Sequence, residues 1–161
     1  MTNATTLHSE QGHDSDVQLW TRMTSCCTLI ENELRTRLRN EFGTTLPRFE
    51  MMAQLAGAPE GLKMSELSRR MMVTNGNITG ITDQLEKEGL VERSKLATDR
   101  RTSVIKLTIS GRQAFSRMSK AHEQWLHDIF SRSPQQKRSS LYKNLGVIKS
   151  MLKAQLHNKP A

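Results

Sequence analysis

Residues 62–112 read LKMSELSRRMMVTNGNITGITDQLEKEGLVERSKLATDRRTSVIKLTISGR. Ser65 can cap a short helix over Glu66–Met72, with Leu67 and Met71 facing inward. Val73-Thr74-Asn75-Gly76 is a tight turn, and Thr74 or Asn75 can cap a second helix from Gly76 to Glu88. Ile78, Ile81 and Leu85 form the apolar stripe of that helix, and Gly89 ends it. Leu90–Arg93 and Thr102–Thr108 alternate as strands do, joined by a basic loop over 94–101. Helix, turn, helix and basic hairpin make a winged helix-turn-helix. A helix tipped with small polar residues can enter a DNA major groove, and a hairpin with adjacent arginines can grip phosphate or the minor groove beside it.

Outward from this stretch the chain becomes long amphipathic helix. Trp20, Met23, Cys27, Ile30, Leu34 and Leu38 step by three or four, predicting a helix from Asp16 to Phe42 that Gly43 stops. Pro47 suits the first turn of the next helix, Leu46–Ala56, with Phe49, Met52 and Leu55 on one stripe. Ser110 is the expected cap of a helix reaching Phe130, with Phe115, Met118, His122, Trp125 and Ile129 on one side. Ser133-Pro134 opens a last helix in which Leu141, Leu145, Ile148 and Leu152 recur. The polar residues before Asp16 lack periodicity and read as a disordered tail. No internal repeat or low-complexity segment interrupts the pattern.

The fold expected is therefore mainly α with a small β-wing. A tail spans 1–15, dimerisation helices span 16–45 and 113–157, and the winged helix-turn-helix lobe spans 46–112. A 161-residue chain with 35% hydrophobic and 4% aromatic residues has a thin core as a monomer, and its terminal stripes need a partner. A homodimer with twofold symmetry supplies one, and it would set two recognition helices about one DNA turn apart on a palindrome.

Charge agrees with a polyanionic partner. The net charge is +8, and it is uneven. Residues 1–20 hold three acids and no Lys or Arg, residues 21–62 balance five against five, and 63–112 hold ten basic against six acidic residues. Residues 113–161 hold nine against two, which by itself describes an ordinary solvated surface. No apolar run approaches the roughly 20 residues that span a bilayer, and no charged-then-apolar leader opens the chain. No membrane partner and a cytoplasmic location are expected.

The stretches SELSRR, NITGITDQLEKEGLVER, the DRR at 99–101 and the VIKLTISG after it resemble the MarR family of bacterial transcription regulators. The resemblance extends over 17–157 with the flanking helices, and 46–115 carries the distinctive part. It implies that the outer helices form the dimer and that a ligand pocket lies between them and the DNA-binding lobe. It places Asn75, Asn77, Ile78 and Thr79 at the groove-facing end of the recognition helix, with Thr74 at its cap and Ser65 near the DNA backbone. It makes Arg101 the wing residue that enters the minor groove, oriented by Asp99, with Arg100 beside it on phosphate. An Arg held by a charge-assisted bond loses less entropy on binding. Ala97-Thr98 departs from the family pattern, where proline or a further acid is common before the Asp. TLPRFEMMAQL and SRRMMVTNGNITGITDQLE resemble members that control aromatic-acid catabolism, some of which respond to hydroxycinnamoyl-CoA thioesters.

Each of these residues also has a bland reading. Asn77 and Thr79 alone would be a capped, solvated helix end, and the wing downstream is what turns them toward DNA. Arg69 and Arg70 read as a surface pair or a phosphate contact. Trp20, Met23, Phe49, Met52, His122 and Trp125 read as core, or as a soft pocket for a flat aromatic, with Arg22 and Arg48 at its mouth for an acid or a CoA phosphate. Cys26 and Cys27 sit mid-helix beside apolar residues, and buried packing is expected over redox sensing. His122 and His127 do not share a helix face, and no metal-ligand spacing occurs.

The function expected is a ligand-responsive DNA-binding repressor. Its partners would be a double-stranded operator, a second copy of itself and a small aromatic acid or CoA thioester. A winged helix used for protein contact and a cysteine-based redox regulator are the alternatives. No G-x-S-x-G, Walker loop or metal triad is present, so neither enzyme activity nor a cofactor is expected.

Overall fold

The computed structural model describes residues 4–95 and 103–157. Its elements are α1 (Ala4–Phe42), α2 (Leu46–Ala56), α3 (Met64–Met71), α4 (Asn75–Lys87), β1 (Val91–Lys95), β2 (Ser103–Leu107), α5 (Ile109–Ser131) and α6 (Gln135–His157). The chain forms two compact units, 1–121 and 122–161, divided within α5.

In the first unit α2 is the hub, packing on α1, α3, α4 and β2. Its first turn carries Pro47, and its buried face is Leu46, Phe49, Met51, Met52 and Leu55. Leu38, Leu67, Ile78, Leu85 and Ile105 complete the core. Burying each such aliphatic side chain contributes roughly 1.5–3 kcal/mol. Thr82 is the buried polar exception on α4. Its hydroxyl donates to the Ile78 carbonyl at 2.8 Å and touches the sulfurs of Met51 and Met64 at 3.7 and 3.6 Å.

β1 and β2 pair antiparallel, from Val91 opposite Leu107 to Lys95 opposite Ser103. Leu62 bridges Ile105 and adds a short extended piece before α3. Gly61 precedes it with φ +89, and a Cβ there would lie 2.8 Å from the Ile105 carbonyl oxygen.

Several boundaries differ from the sequence reading. α1 begins at Ala4, not Asp16, so the expected tail is helical from Ala4 onward. Ala4, Leu7, Glu10 and Gln11 all favour helix, and polarity alone did not break it. α3 starts two residues before Glu66, behind Lys63 in extended conformation, so Ser65 lies inside the first turn. The hydroxyl at the start of α5 is that of Thr108, which accepts from the Gly111 N–H at 2.9 Å, and Ser110 lies within the helix. Cys26 and Cys27 are both exposed, not packed. Along the α1 stripe Trp20 is 66% exposed, Met23 and Ile30 are half-buried, and only Leu34 and Leu38 are buried. α1 packs on α2, its buried residues Leu34 and Leu38 lie toward its C-terminal end, and Val17, Leu19, Trp20 and Leu29 are exposed.

Gly111 lies against the Leu90 carbonyl, where a Cβ would fall 1.9 Å from the oxygen. No side-chain rotation relieves a clash with backbone. Gly111→Ala should lower stability by about 1–3 kcal/mol, as overpacking does. Urea denaturation followed by circular dichroism would read the shift in midpoint.

Candidate nucleic-acid interface

The helix-turn-helix is built from α3 and α4. Met72 ends α3 in the left-handed region at φ 55, ψ 38, and its N–H reaches the Arg69 and Ser68 carbonyls. Ser68 closes the turn by donating its hydroxyl to the Val73 carbonyl. A left-handed residue costs roughly 1–2 kcal/mol, yet Met72 is 93% exposed and gains no packing in return. Thr74 then caps α4, its hydroxyl oxygen accepting from the Asn77 N–H at 3.4 Å.

The first turns of α4 are sharply two-faced. Asn75, Gly76, Asn77, Thr79 and Gly80 are exposed, whereas Ile78 is 0% exposed. Thr79 donates its hydroxyl to the Asn75 carbonyl at 3.0 Å. Ile78 is thus the anchor that turns its neighbours outward. It was expected among the groove contacts, and its burial removes it from them. Ser65, Arg69 and Arg70 are exposed on α3, and Arg70 pairs with Glu66.

The hairpin is joined to α4 by charge. Arg93 on β1 donates to both Asp83 and Glu86 on α4, a fork that ties the strand to the C-terminal part of that helix. The tip of the wing, with Asp99, Arg100 and Arg101, lies outside the described residues.

Behind α4 is a cleft of about 120 Å³. Phe42, Met52, Leu90 and Met118 supply apolar walls, and Arg48, Glu88 and Arg117 supply charge. Arg48 is 13% exposed at its side chain and donates through Nη2 to Glu88, the residue that ends α4. Its Nε–H is buried and has no hydrogen-bond partner among the described residues.

Residues 44–103 match the MarR family. A MarR family transcriptional regulator from Silicibacter pomeroyi, in its crystal structure, superposes with a TM-score of 0.72 at 32% identity, over 86% of this chain and 96% of that one. The chain belongs to the MarR family. The HTH-type transcriptional regulator PapX of Escherichia coli is 40% identical over 70 residues, 44% of this chain and 43% of PapX. CouR from Rhodococcus jostii RHA1, solved bound to p-coumaroyl-CoA, shares the fold with a TM-score of 0.71 at 19% identity, over 81% of this chain and 90% of CouR. The chain spans about half the length of the curated relatives it matches, 57% for one and 43% for PapX. MarR proteins are transcription regulators and not enzymes.

The residues expected to line a ligand pocket of this MarR fold stand in different surroundings within the first unit, and two of them belong to the second. Arg48 and Met52 share the cleft. Phe49 is buried and stacks on Phe115, with ring centroids 5.6 Å apart, as a core aromatic. Trp20 and Arg22 are exposed on α1, and Met23 is half-buried. His122 and Trp125 belong to the second unit, where Trp125 is buried and burial lowers the His122 imidazole against the opposing charge of Glu123. Glu88, Arg117 and Met118 were missed as site residues. Arg117 and Met118 follow Ala114 by three and four, a spacing that puts all three on one side of a helix. No group of three metal-ligating side chains occurs among the described residues.

The Arg93 fork should govern hairpin mobility more than global stability, because its partners are partly exposed. Arg93→Ala is expected to speed amide hydrogen exchange across β1 and β2 while the melting temperature moves by only about 1–3 °C, a surface-pair effect. Equal protection of those amides in the variant would show that the fork does not hold the hairpin.

Proposed function

We propose that the chain is a DNA-binding transcription regulator that represses from a palindromic operator as a cytoplasmic homodimer. Binding of a small aromatic acid or its CoA thioester releases it. The observation that carries the DNA reading is the tip of α4. Thr74, Asn75, Asn77 and Thr79 are exposed together, while Ile78 among them is buried and fixes which way they face. Short polar side chains at a helix N-terminus suit base edges and phosphates. The segment 63–112 adds its ten basic residues, Arg100 and Arg101 among them. In this reading Asp99 orients Arg101 into the minor groove, Arg100 lies on phosphate, and Ser65 sits by the backbone at the start of α3.

Uncovered apolar side chains support the dimer. Val17, Leu19, Trp20 and Leu29 are exposed on α1, and Leu141, Leu145, Met151 and Leu152 on α6. Exposed stripes of this kind call for a second surface, and a twofold copy is the common answer. The effector reading rests on Arg48 and Met52 in the cleft and on the thioester bound by CouR, whose fold is the same. No helix among the described residues is long and apolar enough to cross a membrane.

A thiol-based control is the second reading, favoured by the exposure of Cys26 and Cys27. Operator binding that answers peroxide equally after both are changed to serine removes it.

Arg101→Ala should abolish operator binding at physiological salt and leave the dimer intact by size-exclusion chromatography. An unchanged gel-shift affinity would sink the wing assignment. Affinity should also fall steeply with salt, since each phosphate contact releases counterions. A flat salt response would favour a winged helix that binds protein. For the effector, operator titrations with p-coumaroyl-CoA and with free aromatic acids should show release, and no change with any of them removes that part.

A further inference from the structure

We propose that Met72, the exposed methionine of the turn between α3 and α4, is a base-reading residue that packs its thioether side chain on the C5-methyl group of a thymine in the major groove. The proposal rests on the DNA reading above and adds an apolar contact beside the polar tip of α4.

The first observation is backbone strain that the chain itself does not use. The Met72 N–H reaches the Arg69 carbonyl at 3.4 Å, and the Val73 N–H reaches the Ser68 carbonyl at 3.1 Å. This is the Schellman pattern of a helix end, and it needs a residue in the left-handed region. Met72 takes it at φ 55, the one non-glycine residue with positive φ among the described residues. Glycine adopts that conformation without a Cβ penalty, and asparagine tolerates it. Methionine has neither advantage, and at 93% exposure it recovers nothing by burial. A strained residue held without an internal reason points to a contact outside the chain.

The second observation is place. Apart from Met72, the exposed large apolar side chains lie on α1, α5 and α6. A dimer formed through α1 and α6 does not account for Met72. Arg69 and Arg70 precede it, and Thr74, Asn75 and Asn77 follow it, all exposed. Its neighbours in the chain suit phosphate on one side and base edges on the other.

The third observation is chemistry. Thr74, Asn75, Asn77 and Thr79 carry hydroxyls and amides, which read donors and acceptors. Thymine also shows a C5-methyl in the major groove, and an apolar side chain reads it. The methionine thioether is polarizable and has three rotatable bonds, so it can follow a methyl group without demanding one geometry. A protein partner is the poorer fit. Stable protein interfaces bury roughly 1,200–2,000 Å² around an apolar centre, and between Arg69 and Gly80 no other apolar side chain is exposed.

The probe is double-stranded DNA that the full chain selects from a random pool. Each thymine of the selected half-site is replaced in turn by deoxyuridine, which removes only the methyl group. Met72 is replaced by Gly, Asn or Leu. In fluorescence-anisotropy titrations of wild type, one such replacement should weaken binding about fourfold per half-site, as burial of one methyl-sized group implies. Met72→Gly and Met72→Asn should bind the unmodified DNA at least that much more weakly and be indifferent to the replacement. Both should melt no lower than wild type, since both relieve the backbone. Met72→Leu keeps the apolar reach and should keep the sensitivity to deoxyuridine. Undiminished affinity in Met72→Gly and Met72→Asn overturns the contact and leaves the side chain to a protein partner. Weaker binding in both variants, with every deoxyuridine replacement felt as in wild type, also overturns it and puts the side chain on sugar or phosphate. Failure of the DNA reading is a different result: wild type enriches no sequence from the pool and binds no duplex even at low salt.

Discussion

One hydroxyl ties the winged helix-turn-helix lobe together. Thr108 donates its side-chain proton to the Gly89 carbonyl at 2.6 Å and accepts from the Gly111 N–H at 2.9 Å. Its own N–H reaches the Leu90 carbonyl at 3.1 Å. These bonds join the exit of α4, the start of β1, the end of β2 and the first turn of α5 at one point. The close contact of Gly111 with the Leu90 carbonyl is what allows the approach. α4, the hairpin and the start of α5 therefore take their directions from the same few atoms.

Much of this lobe is legible in the sequence because its signals are local. α2 was bounded at both ends by Pro47 and Gly57, and it spans the residues expected. β2 and the turn between α3 and α4 also fall where alternation and turn residues put them, whereas β1 runs on through Ser94 and Lys95, which were expected in the loop. Where two hydroxyls competed for one role, tertiary bonds decided. Thr108 prevailed over Ser110 because only Thr108 also reaches Gly89. Ser65 lost the cap position because Leu62, held to Ile105, lets the chain enter the helix directly after Lys63. At Ile78 family position and hydrophobic period pointed in opposite directions, and the period was right.

The cleft was legible only in part. Arg48 and Met52 share a helical face four residues apart, a pattern visible in one dimension. Glu88 and Arg117 come from other elements, brought near by the packing of the lobe. No spacing rule connects residues 48, 88 and 117. The exposed half of α1 has the opposite lesson. Its stripe is plain in the sequence, but whether a stripe is covered by its own chain depends on what packs there. Trp20 and Cys27 are uncovered, and Leu34 and Leu38 are not.

The sulfur-rich bed under α4 has a mechanical meaning. Thr82 rests between the thioethers of Met51 and Met64, in the middle of the helix. Branched aliphatic side chains interlock and resist sliding, whereas methionine has three rotatable bonds and follows a moving neighbour without opening a void. The helix is thus softly sprung at its centre and fastened by charge near its exit, through Arg93 and Arg48. Ile78 and Leu85, branched and fully buried, hold the rest of that face in line. Give is therefore confined to the middle of the helix, where the neighbours of Thr82 are sulfur, and the direction of Asn75 and Asn77 is kept by Ile78 beside them.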